Sequence, residues 1–130
     1  MVLIVEDDVM FRNLIKETLF AGFPLLPISE ASDGVEALEK INACIPNIIF
    51  MDIKLPGENG LVLTKKIKER YPQIIIAILT AYDQPEYREA AFQCGAAYFL
   101  PKGSTSLDEI RSLVEQALFG KKSDSDGSGS

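Results

Sequence analysis

A chain of 130 residues, 47% hydrophobic and 25% charged, is the size and composition of one ordinary globular domain with a single core. Its formal net charge of -6 leaves no basic footprint for nucleic acid, no apolar run approaches the roughly 20 residues of a membrane span, and Met1–Glu6 lacks the basic start of a secretion signal. With no histidine present, histidine metal sites, histidine general bases and a histidine phosphoryl carrier are all excluded; Cys44 and Cys94 match no metal spacing and are expected to be reduced, half-buried thiols of a cytoplasmic protein.

Val2–Val5 is a short apolar strand that ends on Glu6, Asp7 and Asp8. Asp8 suits the N-cap of a helix from about Val9 to Ala21, in which Phe11, Leu14, Ile15, Thr18 and Leu19 form a stripe at helical spacing. Gly22 and Pro24 stop it, and a weaker strand follows at about Pro27 to Glu30. Ser32-Asp33-Gly34 opens a second helix, about Val35 to Cys44, with Ala37, Leu38 and Ile41 inward. Ile48, Ile49, Phe50 and Met51 are continuous rather than alternating, which suits a strand buried on both faces, and the run ends abruptly on Asp52. The loop Ile53 to Gly60 carries Pro56 and two glycines and leads into a third helix that ends near Arg70. Ile74–Leu79 is a further buried strand ending on Thr80-Ala81. Pro85 fits the first turn of a fourth helix to about Cys94, closed by Gly95. Ala97–Leu100 is the fifth strand, ending at Pro101-Lys102, and Ser104-Thr105-Ser106 leads into a last helix faced by Leu107, Ile110, Leu113, Val114 and Leu118. The domain is expected to cover residues 1–120, with 121–130 a disordered Ser/Gly/Asp-rich tail or linker stub.

Five successive β-α units predict an α/β fold with a parallel sheet covered by helices on both faces. Ligands of such sheets bind outside the carboxyl ends of the strands. Those ends carry Glu6, Asp7 and Asp8 after the first strand, Asp52 after the third, Thr80 after the fourth and Lys102 after the fifth. Singly, each is an ordinary cap, turn hydroxyl or surface charge; their joint occurrence at four strand ends is what points to a site. Clustered carboxylates repel unless a cation is present, and oxygen donors without His or Cys favour Mg²⁺ or Mn²⁺. Lys102 can pair with a phosphoryl oxygen, Thr80 can donate to another, and Asp52 is the carboxylate best placed as nucleophile. Positioning and charge neutralisation are most of what phosphoryl transfer requires. Phe99 is read equally as a core aromatic and as part of a switch.

In this order, Leu3-Ile4-Val5-Glu6-Asp7-Asp8, Ile49-Phe50-Met51-Asp52-Ile53-Lys54-Leu55-Pro56-Gly57 with Gly60, Leu79-Thr80-Ala81, and Gly95-Ala96 through Phe99 to Lys102 resemble the receiver domain of two-component response regulators from Met1 to about Gly120. The resemblance implies a flavodoxin-like doubly wound (βα)5 fold with strand order 2-1-3-4-5, an order for which a member of this family is a standard example. It implies Asp52 as phosphoacceptor, Glu6, Asp7, Asp52 and the backbone carbonyl of Lys54 as Mg²⁺ ligands, Thr80 and Lys102 as phosphoryl contacts, and Thr80 with Phe99 as the switch. It implies as partners a sensor histidine kinase or histidine phosphotransfer protein and an output domain or partner protein. The chain is then a signalling switch, not an enzyme in the ordinary sense. It departs from many members after the lysine, where Gly103 follows and the proline stands before it, at 101.

Three other readings compete on this fold. A dehalogenase-type phosphatase places a second Asp two residues after the nucleophile, where this chain has Lys54, and a flavodoxin-like cofactor carrier has a Ser/Thr/Gly-rich first loop, where this one is acidic. A receiver-like interaction domain acting without phosphorylation is the remaining alternative; such domains usually lose an acid, the Thr or the Lys, all of which stand here. Ala97 and Tyr98 occupy positions where winged-helix regulators carry two acids for charge-paired dimers, so a monomer or weak dimer is expected, with aromatic contacts to a partner near Tyr87, Phe92 and Tyr98.

Overall fold

The computed structural model describes residues 1–120; the predicted tail lies outside the described residues. The elements run β1 (Val2–Val5), α1 (Val9–Gly22), β2 (Ile28–Ala31), α2 (Gly34–Ala43), β3 (Ile48–Met51), α3 (Gly60–Arg70), β4 (Ile75–Thr80), α4 (Pro85–Gln93), β5 (Tyr98–Pro101) and α5 (Leu107–Phe119). The strands form a five-stranded parallel sheet in the order β2-β1-β3-β4-β5, as expected of the doubly wound arrangement. Each boundary falls within a residue or two of its sequence expectation.

The sheet divides two apolar layers, because successive strand residues point to opposite faces. Leu3, Val5, Ile49, Met51, Ile76, Ile78 and Phe99 face α2, α3 and α4, meeting Ala37, Ile41, Leu63, Ile67 and Ala91. Val2, Ile4, Ile48, Phe50, Ala77 and Leu79 face α1 and α5, meeting Ile15, Leu19, Ile110, Leu113 and Val114. Three expectations need correction. Leu14 of the α1 stripe and Leu107 at the start of α5 are exposed, since both helices meet the sheet along a narrower stripe than their apolar residues define. Cys44 is exposed rather than half-buried because it follows the last turn of α2, whereas Cys94 is part-buried; both are free thiols.

The helix starts are set by side chains of the expected kind. Asp8 accepts from the N–H groups of Met10 and Phe11, Asp33 from that of Glu36, and Asn59 from those of Leu61 and Val62, while Ser106 and Glu109 form a reciprocal capping box. At α4 the first turn is set by Pro85 alone, and Gln84 makes no side-chain cap among the described residues. Gly95 closes that helix at φ 106°, a conformation that costs glycine little.

The start of α3 lies hard against the end of β3. The Gly60 N–H donates to the Ile53 carbonyl at 2.8 Å, and a Cβ on Gly60 would stand 1.9 Å from the Asp52 carbonyl oxygen. No flexible side chain can yield there; the backbone itself must shift. Gly60→Ala is therefore expected to lower stability by about 3 kcal/mol, the upper range for overpacking, in urea unfolding. An unchanged midpoint would show that the loop after Asp52 yields freely.

Candidate functional site

Strand register sets the carboxylates side by side. Val5 pairs with Met51, so the next residues, Glu6 and Asp52, leave the sheet as neighbours, and the Asp52 N–H donates to the Val5 carbonyl at 3.1 Å. Carboxylate oxygens of Glu6, Asp7 and Asp52 all lie within 4.8 Å of one another. Glu6 and Asp52 are buried and Asp7 is exposed, so the cluster has two walls and an open side. Asp8 is not part of it, being used as the cap of α1.

Lys102 reaches this cluster from β5. Its N–H donates to the Thr80 carbonyl at 2.8 Å as the strand ends, and its Nζ lies 2.8 Å from Glu6 Oε1 and 3.2 Å from Asp52 Oδ2. The second oxygens are also occupied: Asp52 Oδ1 accepts from the Ile53 N–H at 2.7 Å, and Glu6 Oε2 from the Asp8 N–H at 3.1 Å. Burial pushes the Glu6 carboxyl above its ordinary range, and the Asp52 charge adds to this; the Lys102 hydrogen bond opposes the shift without cancelling it. Burial alone would lower the Lys102 ammonium, but its hydrogen bond to Glu6 and the Asp52 and Glu6 charges outweigh that and raise it.

Thr80 and Phe99 stand apart. The Thr80 hydroxyl makes no hydrogen bond to the cluster among the described residues; it accepts from the Tyr82 N–H at 3.2 Å. The alternation of the sheet accounts for this. Glu6, Asp52 and Lys102 follow the phase of Ile4, Phe50 and Leu100 on the α1 and α5 side, whereas Thr80 and Phe99 follow Ile78 and its layer toward α4. Phe99 is buried, and the Arg88 guanidinium of α4 lies 4.9 Å from its ring centroid. Lys54 is exposed, with its Nζ 5.1 Å from the Tyr82 ring, and Tyr82 packs at a tilt against Tyr87 of α4, ring centroids 5.7 Å apart.

Two contacts at the cluster escaped the sequence reading. The Phe11 ring centroid lies 4.3 Å from Lys102 Nζ, whereas the sequence pattern places this residue only in the core stripe. Arg12 Nη1 donates to the Glu6 carbonyl at 2.7 Å while its Nε pairs with Glu30 at 3.0 Å, tying the end of β1 to β2. The Lys16 hydrogen bond, with Arg12 beside it, holds the Glu30 carboxyl below its ordinary range. An arginine four residues into a helix is too common to signal such a clasp.

The donor set fits a small divalent cation. Three carboxylates against one ammonium leave two formal negative charges, and every available donor in the cluster is a hard oxygen. Glu6, Asp7 and Asp52 are the side chains that would hold such an ion.

A five-stranded parallel sheet carrying an acidic cluster and a lysine at its carboxyl edge defines a receiver-type signalling domain. The response regulator receiver domain family matches residues 2–115, and this chain belongs to it. It is 36% identical over 115 residues to the DNA-binding transcriptional regulator NtrC of Escherichia coli K12, an overlap of 88% of this chain and 24% of NtrC. It is 31% identical over 125 residues to a protein-glutamate methylesterase/protein-glutamine glutaminase of Pyrococcus horikoshii, covering 89% of this chain and 34% of that protein. The chain thus spans a quarter to a third of the length of these relatives. The crystal structure of the receiver domain of NtrX from Brucella abortus superposes with a TM-score of 0.82 at 28% identity, over 93% of this chain and 100% of that one. No helix among the described residues is long and apolar enough to cross a membrane.

Removing the ammonium tests how far the cluster depends on it. Lys102→Met is expected to lower stability by roughly 2 kcal/mol in urea unfolding near pH 7, because two buried carboxylates then face each other uncompensated. Burial and the Asp52 charge already hold the folded Glu6 carboxyl above its unfolded value, and without the ammonium they act unopposed, so this penalty is complete above the raised folded value and fades as pH falls through it toward the unfolded value of about 4.3. An equal deficit at about pH 7 and about pH 4.5 would assign the loss to packing instead.

Proposed function

We propose that the domain accepts a phosphoryl group on Asp52 from a phosphohistidine of a sensor kinase or histidine phosphotransfer protein, and signals to an output domain or partner protein through the face of α4, β5 and α5. The observation that carries this reading is the position of the Lys102 ammonium, 3.2 Å from Asp52 Oδ2 and 2.8 Å from Glu6 Oε1, next to the exposed Asp7. In the transfer, an Asp52 oxygen attacks phosphorus, the P–N bond breaks, and the imidazole leaves with the bonding pair. Mg²⁺ or Mn²⁺, held by Glu6, Asp7, Asp52 and the Lys54 carbonyl, supplies the charge neutralisation that lets a phosphoryl anion approach. Lys102 then pairs with one phosphoryl oxygen, and the Thr80 hydroxyl donates to another after giving up its place beside the Tyr82 N–H. Phe99 and α4 repack as Thr80 moves, a shift between two populations rather than a new fold. The role is that of a signalling switch, which promotes its own phosphorylation and dephosphorylation. Without acids at 97 and 98 the isolated domain is a monomer or weak dimer, and the exposed Phe92 and Tyr98 offer aromatic contacts to a partner.

Intact mass after incubation with a small phosphodonor and Mg²⁺ tests the acceptor. One phosphoryl group is expected on the wild-type chain and none on Asp52→Asn; full labelling of that variant would sink the assignment, and labelling undiminished by chelation would sink the metal requirement.

Lys54 and Tyr82 meet in a cation–π contact between the loops that follow Asp52 and Thr80, which suits them to shield an acyl phosphate from water. A Lys54→Ala, Tyr82→Ala double variant is expected to lose its phosphoryl group several-fold faster. An unchanged half-life would return both residues to solvent-facing roles.

A further inference from the structure

We infer that Phe11 is a positioning residue for Lys102: its ring holds the ammonium at the place where it meets the phosphoryl group, an inference that rests on the phosphoacceptor reading of Asp52. The ring centroid stands 4.3 Å from Nζ, well inside the roughly 6 Å over which an aromatic face attracts a cation. The contact is partly desolvated, where such attraction is strongest: the Lys102 side chain is 18% exposed and Phe11 is half-buried. Phe11 also packs together with Glu6 and Asp52, so its ring forms part of the apolar wall of the cluster. Its place is well fixed. It sits in the first turn of α1, where its own N–H donates to the capping carboxylate of Asp8 at 3.3 Å.

The chemistry gives this contact a purpose beyond cover. At rest, the Lys102 ammonium is shared between Glu6 and Asp52. Both partners change when a divalent ion engages the carboxylates and Asp52 becomes an acyl phosphate. The ring is the neighbour that stays the same through the reaction. Lysine is a point charge on a flexible four-carbon stem, so without a fixed contact it must be reordered as its carboxylate partners are withdrawn. An aromatic face attracts the charge without competing as a ligand for the ion and without presenting a negative group to the phosphoryl oxygens. An aliphatic side chain of similar size supplies the same wall but lacks the quadrupole.

Two measurements on Phe11→Leu, Phe11→Tyr, Lys102→Ala and the Phe11→Leu, Lys102→Ala double variant test this, with Phe11→Met replacing Phe11→Leu should the latter unfold. The first is NMR of the Lys102 ε-methylene protons, which need no ligand. An upfield ring-current shift is expected in the wild-type chain and Phe11→Tyr and not in Phe11→Leu; its absence from the wild-type chain would overturn the inference. The second is the affinity for beryllofluoride with Mg²⁺, a phosphoryl mimic. Phe11→Leu is expected to weaken it roughly three- to tenfold, and Phe11→Tyr to restore it. In the Lys102→Ala background the same substitution is expected to cost nothing further, because the ring acts through the ammonium. Equal losses in both backgrounds, or no loss in either, would overturn the inference while leaving the acceptor role of Asp52 intact. Failure of the wild-type chain to bind the mimic would overturn both.

Discussion

The ammonium of Lys102 between Glu6 and Asp52 is the contact on which the rest of the site depends. Two buried carboxylates at adjacent strand ends repel each other, and neither can be hydrated freely where it stands. The lysine answers most of that repulsion, and it must arrive from the far side of β4, since β5 pairs only with β4 in the sheet. The doubly wound order is therefore more than a scaffold. It carries a cation from the edge strand to carboxylates on the central strands. The neutralisation remains incomplete, because Asp7 adds a third negative charge on the open side. The site is stable enough to fold and still attractive to a further cation.

Strand alternation then separates two tasks. The residues that meet at the cluster leave the sheet in phase with the α1 and α5 layer, which is why an α1 side chain, Phe11, lies against Lys102. Thr80 and Phe99 leave in the opposite phase, and their neighbours come from the α4 side, including Arg88 over the Phe99 ring. Between the two phases, the Lys54, Tyr82 and Tyr87 side chains form a chain of contacts from the loop after Asp52 to α4, and the Thr80 hydroxyl holds the Tyr82 N–H beside it.

Much of this was legible in the sequence, for physical reasons. The buried strands announce themselves as unbroken apolar runs, and the residues after them are polar where a solvated protein has no need of several acids and a lysine in that order. The caps at Asp8, Asn59 and Ser106 follow from side-chain oxygens placed before apolar-periodic segments. What could not be read is what depends on approach between elements distant in the chain. Phe11 looks like any core aromatic until β5 delivers Lys102 beside it. Leu14 looks like part of the stripe until the packing of α1 on the sheet leaves it outside. The tilted packing of Tyr82 against Tyr87 requires the particular path of the loop between β4 and α4.

The light anchoring of α4 bears on how such a domain could acquire new partners. Ala91 is the buried residue of this helix, and its first turn is set by Pro85 without a side-chain cap. Most of its other side chains face solvent, so exchanging them disturbs neither the apolar layers nor the carboxylates on the opposite phase of the sheet. The vocabulary of this surface can therefore be rewritten one residue at a time while the carboxylate cluster stays the same. Arg88 and Tyr87 are the exceptions, since they touch Phe99 and Tyr82, and they bound how far that rewriting can go before the helix loses its connection to the site.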